Sequence, residues 1–305
     1  MYNRREFGKL TLAGLAAPLV GALVDSAGGV RIGVRTCSFR SLRRAPGGDP
    51  IETLIEALRA CDVHECELFA PQIEAQFGTE HGGHHTMSSM PPQMMRRELR
   101  KWRLRTPDRY FRAIGERFKK AGIAIYAYNY SPNASFTDEE IDRGFVMAKA
   151  LGAEIMTAST TLDVAKRIVP FATRHRMVVA LNGGSRAHNP NEFGTPQGFA
   201  AVLKLSSHFK VSLDIGDFTA ANFDALAYVG EHHGDIANLH LKDRRKNEGD
   251  NLPWGQGDTP IREVLRLVKR EKWPIRAFVD YDYAGRTGPI DEVKKCLAYA
   301  TEALT

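Results

Sequence analysis

From residue 30 onward, short runs of β-branched and apolar residues alternate with stretches in which apolar residues recur every three or four positions. The short runs predict strands over Val30–Cys37, Glu65–Phe69, Ala124–Tyr130, Glu154–Ser159, Met177–Asn182, Lys210–Ile215, Ile236–Leu241 and Arg276–Tyr281. The longer periodic stretches predict helices over Ile51–Ala60, Pro107–Ala121, Asp138–Leu151, Leu162–His175 and Pro196–Leu205, then Phe223–His232, Pro260–Glu271 and Pro289–Leu304. Thr137-Asp138-Glu139-Glu140, Thr195-Pro196 and Thr259-Pro260 supply cap and first-turn chemistry, while Gly122 and Gly152 mark helix ends. Strands alternating with helices pair in parallel through right-handed crossovers. Eight such units over roughly 275 residues match an α/β (β/α)8 barrel. The competing doubly wound sheet lacks support, because no glycine-rich dinucleotide loop follows the first strand.

Two segments break this rhythm. Gln72 to Thr106 is a long second connection carrying His81, His84 and His85 and a Met/Pro-rich stretch, expected to be a polar lid or substrate wall on the catalytic face. The arginines at 96, 97, 100, 103 and 105 are expected on a solvated helix face. Residues 1–27 form the second exception: Asn3-Arg4-Arg5-Glu6-Phe7-Gly8-Lys9 precedes a mildly apolar run, Leu10 to Val24, and the small residues Ser26, Ala27 and Gly28. This resembles a twin-arginine (Tat) export signal, with cleavage expected after Ser26 or Ala27. The expected division is therefore a signal over 1–27 and one barrel over 28–305, exported to the periplasm or outside the cell.

The composition, with 43% hydrophobic and 26% charged residues, is that of a globular chain and excludes a disordered or fibrous one. No uninterrupted apolar stretch reaches the roughly 18 residues of a spanning helix. Cys37, Cys61, Cys66 and Cys296 form no C-x-x-C pair, so neither a zinc knuckle nor a thioredoxin motif is present. Buried free thiols are expected, with a Cys61–Cys296 disulfide as the alternative, since closure makes the first and last helices neighbours.

In such a barrel the working residues stand at the strand C-termini. Strand five ends at Asn182, strand six in Asp214-Ile215-Gly216-Asp217, strand seven in His240-Leu241-Lys242-Asp243 and strand eight in Asp280-Tyr281-Asp282. Alternation aims His240 and Lys242 the same way, and likewise Asp280 and Asp282. Carboxylates, an imidazole and an amide oxygen at one mouth make a mixed N/O site for one divalent ion, Mn, Mg, Co or Zn.

Leu213-Asp214-Ile215-Gly216, Asp217-Phe218-Thr219-Ala220, His240-Leu241-Lys242-Asp243, Gly255-Gln256-Gly257-Asp258-Thr259-Pro260 and Asn189-Pro190-Asn191-Glu192-Phe193 together resemble the sugar phosphate isomerases/epimerases, xylose isomerase-like TIM barrels. The resemblance implies one divalent metal held by Glu, Asp, His and Glu from the last four strands, the two Glu residues also exchanging the proton beside a sugar carbonyl. Asp214 and His240 match. Asn182 stands at the first Glu position and Asp280 at the last; Gly183-Gly184 replaces the usual Asn-His, Asp217 a His and Gln256 a Glu. An amide cannot act as a base, so the two-base reaction loses one partner.

The expected roles are Asn182, Asp214, His240 and Asp280 as metal ligands, Asp280 or Asp217 as base, and Lys242, Arg244, Asp282 and Trp254 as substrate contacts. The expected function is a metal-dependent sugar isomerase or epimerase working through an enediolate, or a related keto-sugar or glycoside lyase. The alternative is a non-catalytic carbohydrate-binding barrel. Such barrels imply a homodimer. The +6 charge leaves an acidic partner open, but the three-zinc ligand set of the nucleases that share this barrel is missing, so no nucleic acid is expected.

Overall fold

A computed structural model of the chain describes residues 26–27, 29–42, 47–74, 91–183 and 191–305. Eight parallel strands close into a barrel: β1 (Val30–Arg35), β2 (Glu65–Phe69), β3 (Ala124–Asn129), β4 (Ile155–Ser159), β5 (Val179–Asn182), β6 (Phe209–Asp214), β7 (Ile236–Leu241) and β8 (Arg276–Val279). Closure runs through Ala277↔Ile32 between β8 and β1 and Val34↔Cys66 between β1 and β2. The fold is thus the (β/α)8 TIM barrel expected from the alternation.

The helices around it are α1 (Pro50–Ala60), α2 (Ala70–Ile73), α3 (Pro92–Arg105), α4 (Asp108–Lys120), α5 (Asp138–Leu151) and α6 (Leu162–His175), then α7 (Pro196–Leu203), α8 (Ile215–Ala220), α9 (Ala225–His232), α10 (Ile261–Glu271) and α11 (Pro289–Leu304). Local chemistry sets their ends. Asp49 caps α1 through the Ile51 and Glu52 amides, and Thr137 and Glu140 form a reciprocal capping box on α5. The strand pleat sorts side chains between two cores. Outward residues such as Val34, Cys66, Leu68 and Leu241 join the layer under the helices, while Tyr126, Ala127, Ile155, Ala180 and Phe278 form a smaller cluster of their own. Tyr126 and Phe278 stack at 5.6 Å there, and Arg276 lies over Tyr126 while bonded to Glu65, which also takes Arg31. This pairing closes the end opposite the strand C-termini.

Three expectations change. The strands end earlier than predicted where polar residues begin a new element: β1 stops at Arg35 before a 3-10 turn (Thr36–Phe39), and β6 stops at Asp214, which caps α8. The 72–106 connection is not only loop, because α3 occupies its second half. Of its arginines, Arg97 and Arg105 are exposed as expected, but three turn inward: Arg103 is 5% exposed and grips Glu74 with two bonds of 2.7 and 2.8 Å, and Arg96 and Arg100 converge on the buried Glu140. Their charge is spent inside the fold because α3 packs on α5 with this face inward. His81, His84 and His85 lie outside the described residues, as does the expected export signal apart from Ser26–Ala27, which pairs antiparallel with Val30–Arg31. All four cysteines are free, so the Cys61–Cys296 bridge is absent. No described helix is long and apolar enough to cross a membrane.

Candidate active site

The inward face of the pleat carries Arg35, Glu67, Asn182, Asp214 and His240 to the C-terminal mouth, and Asp280 follows β8 directly. Asp214, His240 and Asp280 are buried, and one donor atom from each lies within 4.8 Å of the others. His240 is fully enclosed. Its Nε2 sits 2.8 Å from Glu67 Oε2 and 3.2 Å from Ser212 Oγ, and Ser212 in turn accepts from Asn238. Because a carboxylate only accepts, this contact puts the imidazole proton on Nε2 and leaves the Nδ1 lone pair toward Asn182 Nδ2, 3.2 Å away. A carboxylate behind one ring nitrogen is how metal-binding histidines are oriented.

Cations already stand on the carboxylates. Arg35 donates from Nη1 to Asp280 Oδ2 at 2.5 Å and from Nε to Glu67 Oε1 at 2.9 Å. Lys242 Nζ bridges Asp214 Oδ2 at 2.9 Å and Asp217 Oδ1 at 3.0 Å, and Arg244 Nη1 reaches the same Asp217 oxygen at 2.7 Å. Asp214 Oδ1 accepts the Asp217 backbone amide, which fixes the start of α8. Burial works against every one of these charges. At Glu67 the opposing pull of His240 and Arg35 wins and brings the carboxyl down to about 2. Asp280, despite its burial, is held well below the usual carboxylate range chiefly by Arg35 and Lys242. Asp214 moves the other way, because burial and the neighbouring Asp217 charge outweigh Lys242. Lys242 overcomes its own burial through Asp214, Asp217 and Asp280 and stays protonated. Burial pushes the thiol of Cys37, 3.7 Å from Asp280 Oδ1, up to about 12.

The acids Glu67, Asp214, Asp217 and Asp280 outnumber the cations Arg35, Lys242 and Arg244 by one charge. A carboxylate excess beside an oriented imidazole fits a divalent ion, with Asp214, His240 and Asp280 as its donors and the Asn182 amide at the edge.

Among the remaining residues singled out from the sequence, Asp217, Lys242 and Arg244 join this cluster. Asp282 does not. It lies at the rim, bonded to Arg40 and Asn251, so its shared direction with Asp280 does not carry it into the centre. Trp254 also stands apart, edge-on to Tyr299 at 5.9 Å. Sequence reasoning missed Arg35 and Glu67. Both stand as charges at the ends of apolar strands, the same signal that Asn182, Asp214, His240 and Asp280 give.

No family model matches the chain, and no curated protein matches it. Among solved structures it is similar to the 3-keto-D-glucoside 4-epimerase YcjR of E. coli, at 10% identity, with 90% of this chain and 99% of that one covered and a TM-score of 0.62. It is also similar to the IolI protein with a bound zinc atom, at 12% identity, 90% and 97% coverage and a TM-score of 0.62. A sugar phosphate isomerase/epimerase from Parabacteroides distasonis ATCC 8503 matches at 15% identity, 88% and 93% coverage and a TM-score of 0.59. At such identities the likeness is one of architecture: this chain has the (β/α)8 TIM-barrel fold that these structures share.

Proposed function

We propose that the protein is a metal-dependent enzyme of the isomerase, epimerase or related lyase kind, moving a proton next to a carbonyl of a carbohydrate. The observation that carries this reading is the convergence of Asp214, His240 and Asp280 from three successive strands, with Glu67 orienting the imidazole. Neighbours of the same fold include an epimerase of a keto-glucoside and a D-psicose 3-epimerase crystallised with D-tagatose, which supports a sugar as the ligand class. Asp214, His240 and Asp280, with Asn182 beside them, would hold one divalent ion, Mn, Mg, Co or Zn. When bound, that ion supplies Lewis-acid polarisation of the carbonyl.

The rest falls to the chain itself. Lys242, kept protonated between Asp214 and Asp217, offers a fixed cation to the oxygen on which negative charge grows. Arg244 holds Asp217 in place, and its Nε and Nη2 are themselves fixed on the Gly249 carbonyl. Asp280 remains ionised at neutral pH and so accepts a proton, while Arg35 limits its basicity. Asn182 cannot be a second base. A one-base reaction, isomerisation or β-elimination from a keto-sugar, therefore suits the centre better than two-base epimerisation. Asp217 is the alternative base, provided that substrate draws Lys242 or Arg244 off its carboxylate. The Tat-type signal over residues 1–27 implies work outside the cytoplasm on a free sugar or glycoside, rather than on a sugar phosphate.

Two measurements test the reading. Purified protein is expected to carry near-stoichiometric divalent metal by plasma mass spectrometry, and the double substitution Asp214→Ala/His240→Ala is expected to lose it. In D2O, proton NMR is expected to show deuterium entering a keto-sugar beside its carbonyl, at least 100-fold more slowly with Asp280→Asn. A protein that binds no metal even with excess Mn2+ or Zn2+, and whose sugar binding survives Asp280→Asn, is instead a non-catalytic carbohydrate-binding barrel.

A further inference from the structure

Beside the mouth, the connections after β7 and β8, together with α11, line a cavity of about 450 Å3. That volume lies within the range of small-molecule sites, about 300–1,000 Å3. None of Asp214, His240, Lys242 or Asp280 lines it. Its walls combine the rings of Trp254, Tyr283 and Tyr299 with the polar heads of Gln256, Arg286 and Lys295.

The walls are built rather than left over. The Glu292 carboxylate accepts from Thr287 N and Oγ1, Tyr283 Oη and Lys295 Nζ, which ties the connection after β8 onto α11. That connection passes so close that a Cβ at Gly285 would come within 2.5 Å of Glu292 Cγ and 2.6 Å of Tyr281 Oη. On the opposite wall Gly255 has φ +87° and approaches the Tyr299 ring, which packs on Arg262 from another side, 4.0 Å from its centroid. Arg286, by contrast, is exposed and makes no ion pair among the described residues.

Aromatic rings take the C–H face of a sugar ring, and amide, guanidinium and ammonium donors take its hydroxyls. Asp280 and Tyr283 lie three residues apart on one connection, and Lys242 and Trp254 share another, so the cavity flanks the candidate active site on the same face. We infer that this cavity is a glycosyl-binding subsite and that the substrate is a glycoside or oligosaccharide extending beyond one sugar unit. The inference rests on the carbohydrate reading of the neighbouring centre.

The test is isothermal titration of the full protein with glucose, maltose, cellobiose, lactose and trehalose. At least one disaccharide is expected to bind 10-fold or more tightly than glucose. Tyr299→Ala and Arg286→Ala are each expected to cut that advantage at least 5-fold, while Arg97→Ala, on the exposed side of α3 and outside the cavity, leaves it in place. Arg286 is exposed and makes no ion pair among the described residues, so Arg286→Ala stays decisive even if Tyr299→Ala unfolds the protein. Equal affinity for glucose and all four disaccharides, or an advantage that survives Arg286→Ala, overturns the inference. Loss of metal dependence and of deuterium exchange with the disaccharide preference intact would instead overturn the catalytic reading alone.

Discussion

The Glu67 carboxylate receives His240 Nε2 on one oxygen and Arg35 Nε on the other, and it is 1% exposed. Its carboxyl lies lower in the folded chain, about 2, than its ordinary value of 4.5. A depressed carboxyl contributes stability above the unfolded value, and the contribution fades as pH falls from about 4.5 toward 2. The shift corresponds to roughly 3 kcal/mol. Glu67→Gln is therefore expected to unfold at lower urea concentration than the parent at pH 6, with the gap narrowing by pH 3. A gap that widens on acidification would contradict the Glu67 pairing. At the residue scale the charges were legible, but their pairing was not. Hydropathy alternation marks Arg35 and Glu67 as inward-facing, but only closure of β1 against β2 and β8 brings charges 32 and 245 residues apart into contact. Asn182, Asp214, His240, Lys242 and Asp280 were legible because each ends an apolar strand, where a barrel puts its working groups.

Among the elements, α3 departs most from expectation. Its arginines read as a solvated face because a charge-rich helix usually has one, yet Arg103 crosses to Glu74 and stacks over Tyr130 and Phe136, 5.0 and 4.9 Å from their centroids. A buried pair stripped of one partner strands the other charge, at a cost of about 3–5 kcal/mol. Arg103→Ala is accordingly expected to lower stability by that amount in chemical denaturation, whereas Arg97→Ala, on the exposed side, changes it by less than about 0.5 kcal/mol. Equal effects at the two positions would mean that the inward face of α3 contributes nothing. The well-periodic helices were legible nearly to the residue: Asp138–Leu151, Leu162–His175 and Pro289–Leu304 agree at both ends. Their caps and left-handed stops are local chemistry, independent of the rest of the chain. The short helix α8 was not legible, because Asp214 both ends β6 and caps the turn, a dual role that hydrophobic period does not register.

At the scale of the whole molecule, three of the four thiols, those of Cys61, Cys66 and Cys296, are buried, and none is paired. A chain that crosses a membrane already folded shields such thiols from oxidation. Protein recovered from outside the cytoplasm is thus expected to titrate four free thiols in denaturant and to melt at the same temperature with or without reductant. Replacing Arg4 and Arg5 by lysine should hold it in the cytoplasm. Fewer than four thiols, or export indifferent to the arginines, would refute the folded-export reading. The alternation of strand and helix in the sequence alone determined the barrel and the face that carries the chemistry, because backbone hydrogen bonding and crossover handedness leave that pattern few ways to close. Tertiary structure alone decided the charge balance of the centre, with Arg35 on Asp280, Lys242 on Asp214 and Glu67 behind His240, and it alone set Trp254 in a neighbouring cavity. Those pairings depend on register and tilt around a closed sheet, which set distances across the barrel that no local period encodes.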